Sequence, residues 1–138
     1  MQSRKEKNGW LLVLVKGEEI RATIGAWAKK EGIAGAYFWG IGAVTDAELG
    51  FFDTAKNKYE NKLFSGEYEL LSCIGDITED GVHAHISMSG ADFISVGGHL
   101  QRATISVFGE FFVLPTDFIG RSPDIPTGLR KIDLGRKK

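Results

Sequence analysis

Only one stretch of this chain carries an apolar repeat of helical period, and it is short. Within Glu18–Glu31, residues Ile20, Ile24, Trp27 and Ala28 fall at i, i+4, i+7 and i+8, on one face of an α-helix. Glu18 and Glu19 in its first turn and Lys29 and Lys30 in its last complement the helix dipole. Gly32 is placed to end it in a left-handed conformation. A chain with one covering helix must build the rest of its core from strands.

The remaining sequence agrees. Trp10–Val15 is a short apolar run ended by Lys16-Gly17, the pattern of a buried strand. From Ala34 onward the period is two, and strands are predicted over Ala36–Val44 and Ala47–Asp53, with a break at Thr45-Asp46. Further strands are predicted over Lys58–Phe64, Glu67–Ile77, Gly81–Met88 and Thr104–Leu114, the last ended by Pro115. Pro123, Pro126 and Gly128 mark an irregular C-terminal segment. The 18 glycines lie beside these runs rather than in a low-complexity tract, as tight turns and close backbone approaches require. The expected fold class is therefore α+β: one β-rich domain over residues 8–129 with the helix packed on one sheet face, flanked by basic termini 1–7 and 130–138.

Charge and cysteine usage narrow the function. The net charge of −1 gives no global field that would draw the chain to nucleic acid. Its distribution is uneven: residues 4–7 carry +2 and residues 130–138 carry +4, which leaves −7 on the body between them. The apolar run Trp10–Val15 is too short for a signal-peptide core or a membrane span, so a cytoplasmic protein without membrane contact is expected. The single cysteine, Cys73, sits in the apolar strand Leu70–Ile74 and reads as a buried, inert thiol in a reducing compartment.

All three histidines lie within seventeen residues, at His83, His85 and His99. In the strand Gly81–Met88, Val82, Ala84, Ile86 and Met88 share one face, and His83, His85 and Ser87 share the other. The histidines thus stand on a polar face, with Cα atoms about 6.5–7 Å apart. Gly97-Gly98 offers backbone freedom for His99 to fold back toward them. Three neutral imidazoles with an open fourth position match catalytic zinc sites, while iron, nickel and copper also accept imidazole. Glu48, Asp92 and Glu110 are candidate carboxylates for orienting these rings, and Glu48 or Glu110 for proton transfer. No nucleophilic triad or phosphate loop is legible, so catalytic residues are unassigned and no organic cofactor site is expected.

His83-Ala-His85 followed by Val96-Gly-Gly-His-Leu100 resembles the signature of the PPC (plants and prokaryotes conserved) domain. Similar landmarks run through most of the chain: Gly17–Ile20, Gly32-Ile33, Gly40–Val44, Ala47–Asp53, Tyr68–Ser72 and Gly75–Ile77. The resemblance implies a stand-alone domain with a central antiparallel β-sheet and a homotrimeric assembly. It also implies a divalent metal, Zn2+ first among candidates, on His83, His85 and His99. Plant relatives couple the domain to an AT-hook with an Arg-Gly-Arg-Pro core; here Gly135-Arg-Lys-Lys138 is a basic tail without the proline. The expectation is a metal-containing DNA-binding or regulatory module, with DNA contacts through Arg130, Lys131, Arg136, Lys137 and Lys138. The alternative is a metal-dependent enzyme acting on a small molecule. Oligomerisation draws support from Tyr37, Phe38, Trp39, Phe108, Phe111 and Phe112, more large apolar groups than one helix can cover.

Overall fold

The computed structural model describes residues 1–137. In chain order the elements are β1 (Gln2–Glu6), β2 (Gly9–Val15), α1 (Ile20–Lys30), β3 (Ala36–Asp53), β4 (Lys58–Thr78), β5 (Gly81–Ser89), β6 (Ser95–Pro115), β7 (Arg121–Pro123) and β8 (Arg130–Ile132). The first six strands form one antiparallel sheet in the order β1-β2-β6-β3-β4-β5, and β5 also pairs with β6. Strands β6, β3, β4 and β5 therefore make a closed ring of pairings, which brings the two histidine-bearing segments side by side.

The helix forms where its apolar stripe predicts. Ile20, Ile24, Trp27 and Ala28 are buried, and Trp10 meets Trp27 edge-on at 5.5 Å. Burial of Ile20 and Ile24 contributes about 1.5–3 kcal/mol for each side chain. Glu19 lies just outside the helix as its N-cap, its carboxylate accepting from the amides of Arg21 and Ala22 at 3.2 and 2.6 Å. Glu18 accepts from the chain's N-terminal ammonium at 2.6 Å, so neither acid occupies the first turn. Gly32 closes the helix at φ +69°, as its position suggests.

The strands are longer than the periodicity indicates. The expected break at Thr45-Asp46 is a β-bulge inside the continuous strand β3, with Asp46 at φ +51°. Bulges bend a strand without ending its ladder, so a pattern interrupted for one or two residues still runs as one element. Lys58–Phe64 and Glu67–Ile77 likewise fuse into β4. At the ends, residues 2–6 pair with β2 as an edge strand, and residues 121–132 carry the small β7–β8 hairpin. Short, charged edge strands give no apolar alternation to read.

One sheet face packs under α1, with Leu12, Leu14, Phe38, Leu70, Met88 and Phe111 in the core. The other face leaves large apolar groups exposed, among them Trp39, Ile41, Ile74 and Phe108.

Candidate metal centre

The histidines meet through strand register. His85 and His99 are direct cross-strand partners of β5 and β6, and His83 lies two residues earlier on the same face of β5. Ring centroids are 5.3 Å apart for His83–His85, 5.1 Å for His83–His99 and 5.3 Å for His85–His99. One ligand nitrogen from each lies within 4.8 Å of the other two. Tetrahedral coordination at Zn–N distances of 2.0–2.1 Å would set these nitrogens about 3.3 Å apart, a contraction that small side-chain rotations supply.

The alternation of β5 is as the sequence suggests: Val82, Ala84, Ile86 and Met88 are buried while His83 and His85 face outward. The role of Gly97-Gly98 differs. His99 sits within strand β6, and the reversal lies earlier, over Gly90–Ile94, where Phe93 adopts φ +61°. Neither glycine has a left-handed φ. A Cβ on Gly97 would lie 2.6 Å from the Ile86 carbonyl oxygen, and one on Gly98 3.0 Å from that of Gly50. These glycines permit close strand approach rather than a turn.

Electrostatics keeps the site ready for a cation. Burial, then the neighbouring His83 and His85 and the Arg21 guanidinium, pull the His99 ring down to about 4. Burial and His83 also lower His85. Both rings are therefore neutral near pH 7, the state a metal ligand needs. His99 Nδ1 is buried without a hydrogen-bond partner, an orphaned polar atom that a bound cation or its outer shell would satisfy. The donor set fits a divalent transition metal, which at three imidazoles would polarise an oxygen donor in the remaining position.

The orienting carboxylate is Asp76 rather than Glu48, Asp92 or Glu110. It faces His83 across the β4–β5 ladder and lies 3.2 Å from its Nδ1. Nδ1–H donating to Asp76 leaves His83 Nε2 for a metal. The other Asp76 oxygen accepts from Arg121 Nη2 at 2.6 Å. Burial raises the Asp76 carboxyl, but its bonds to His83 and Arg121 outweigh that and hold it below the usual range. The three carboxylates expected from sequence lie elsewhere. Glu48 binds Arg102 and Asn61, Asp92 accepts from the Ile94 amide in the β5–β6 turn, and Glu110 is exposed on the open apolar face. Sequence distance alone could not choose among acids, because the partner is set by β4–β5 register. The available signal was a lone carboxylate inside the apolar run Leu70–Ile77.

Three of the C-terminal basic residues are engaged within the chain. Arg130 pairs with Asp80 and, at 3.5 Å, Glu79; Lys131 pairs with Asp124 at 2.9 Å; Arg136 pairs with Glu79 at 2.9 Å. Lys138, part of the expected basic tail, lies outside the described residues.

A ring-closed antiparallel sheet under one helix, carrying three histidines on adjacent strands, defines a class of small β-rich domains with a metal-competent face. Within that class the chain belongs to the Plants and Prokaryotes Conserved (PCC, also written PPC) domain family, whose family model matches residues 1–117. The plant- and prokaryote-conserved protein of Pyrococcus horikoshii is 33% identical, with a TM-score of 0.83 over 96% of this chain and 93% of that one. A metal-containing protein of Archaeoglobus fulgidus is 31% identical, with a TM-score of 0.82 over 95% and 96%. A candidate DNA-binding protein of Bacteroides thetaiotaomicron is 28% identical, with a TM-score of 0.92 over 98% of each chain. The chain also matches, at 26% identity over 127 residues, the bifunctional protein GlmU of two Synechococcus strains, and it spans 20% of the length of these curated relatives.

Proposed function

We propose that this chain is a metal-binding regulatory domain that works as a homotrimer, with a divalent cation, Zn2+ first among candidates, on His83, His85 and His99. The observation that carries the reading is the cross-strand convergence of three imidazoles, one of which, His99, has a buried Nδ1 without a hydrogen-bond partner. The metal-containing relative from Archaeoglobus supports it, and the exposed apolar sheet face supports the assembly. Elemental analysis of the protein as purified should find one cation per chain, and none after His83, His85 and His99 are replaced by alanine. Absence of stoichiometric metal in the wild type would remove the reading. Light scattering should give a mass three times the 15.1 kDa chain.

A second reading, DNA binding, is favoured by the Bacteroides relative. On this chain the contacts would come from Arg130, Lys131, Arg136 and Lys137. The first three already hold carboxylates, so a phosphate must displace Asp80, Asp124 or Glu79. The expected binding is weak and falls steeply with salt. A duplex mobility shift that is absent at low salt removes it. The enzyme alternative draws on the cleft of about 740 Å³ beside His83 and His99.

A further inference from the structure

We infer that the three-histidine site takes a small oxyanion, a carboxylate or phosphate group, held between the bound cation and the guanidinium of Arg21. The inference rests on the metal reading above and adds the class of ligand.

Its basis is charge balance in one cleft. Among the described residues, the charged side chains lining the 740 Å³ cleft are Arg21, Arg121, Arg130 and Lys131 against Asp76, Asp80 and Asp124. Each acid is matched: Asp76 to Arg121 at 2.6 Å, Asp124 to Lys131 at 2.9 Å, and Asp80 to Arg130. One cation is left over, and it is Arg21.

Arg21 is held without being neutralised. Its Nε donates to the Val82 carbonyl at 3.1 Å, and its Nη1 to the carbonyls of Leu100 and Gln101 at 3.2 and 2.8 Å. These oxygens lie where β5 and β6 part, beyond the His85–His99 pair that ends their ladder. They fix the guanidinium plane and leave its full charge, with Nη2 free of partners among the described residues. Three neutral imidazoles would add no negative charge to a divalent cation. The cleft would then hold +2 on the metal and +1 on Arg21, part-buried and unbalanced, which is costly without an anion. An oxyanion fills the open coordination position and accepts from the guanidinium, whose planar donors suit carboxylate and phosphate alike. Tyr59, its ring tilted against that of His99 at 5.0 Å, walls the same cleft.

The test uses cobalt-loaded protein, because the visible d–d absorption of Co2+ responds to its fourth ligand. Sodium acetate, inorganic phosphate and neutral acetamide are titrated in turn at constant ionic strength. Acetate or phosphate should give a saturating spectral change and acetamide none; which anion responds separates a carboxylate ligand from a phosphate one. Arg21→Gln should raise the half-saturating anion concentration about ten- to a hundredfold, the loss of one charge-assisted hydrogen bond, with cobalt content unchanged. Should that variant fail to fold, Arg21→Lys keeps the charge without the fork. A half-saturation equal to wild type in that variant overturns the assignment. Protein that takes up no cobalt removes the metal reading and this one with it. A cobalt spectrum indifferent to all three probes removes this one alone. An anion response equal in wild type and Arg21→Gln overturns the part given to Arg21.

Discussion

Asp76 gives one oxygen to His83 and the other to Arg121, so a single carboxylate sets the tautomer of a candidate ligand and docks the C-terminal hairpin. Asp76→Ala should therefore show two losses. Metal affinity, read by competition with a chromogenic chelator, is expected to fall 10- to 100-fold, as when an orienting partner is removed. Stability, read by urea unfolding, should fall by about 3–5 kcal/mol, because Arg121 is left buried and unpaired. Cys73 makes a contrasting residue-scale case. Burial, with a smaller contribution from Glu19, pushes its thiol up to about 12 from an ordinary 9.0. The native thiol should ignore a disulfide reagent at pH 8 and react fully in guanidinium. Between pH 9 and 12 the unfolded chain loses this proton while the native one keeps it, so stability must fall as pH rises. The slope approaches about 1.4 kcal/mol per pH unit, and Cys73→Ala should lack this component.

The pairing of β5 with β6 is the element on which the site depends, and it is sensitive to one atom. A Cβ on Gly97 would press into the Ile86 carbonyl at 2.6 Å. Gly97→Ala is expected to cost about 1–3 kcal/mol through forced strand separation, and to weaken metal binding by moving His99 away from His85. A melt together with metal titration checks both. The same pairing marks what a sequence can disclose. His83 and His85 were legible as a same-face pair because a strand's period is local. Helix α1 was legible for the same reason. The opposition of His85 to His99 and of His83 to Asp76 depends on register between strands, and the proximity of Arg21 on how α1 docks against β5 and β6; no local pattern records either. Gly97-Gly98 was visible as special, yet its purpose changed from turning to close approach. The short charged strands at either end have no alternation to betray them.

Across the whole molecule, register links the candidate metal centre to the exposed apolar face. Leu11 pairs with Phe112, Phe112 with Trp39, Trp39 with Ile74, Ile74 with His85, and His85 with His99. One cross-strand row thus runs from an open hydrophobic surface directly into the histidines. In the isolated chain Ile74 is 60% exposed and Trp39 48%. If copies of this chain cover that row, burying each such side chain contributes about 1.5–3 kcal/mol per subunit. Ile74→Glu places an unpaired charge in the same position, which is costly only when the position is buried. In the monomer it stays solvated, so the circular dichroism spectrum should not change. The mass by light scattering should drop from three chains to one, and the melting temperature should lose its dependence on protein concentration. A trimer that survives the substitution unaltered would place the interface on another surface, and would free His85 to face solvent in the assembled protein.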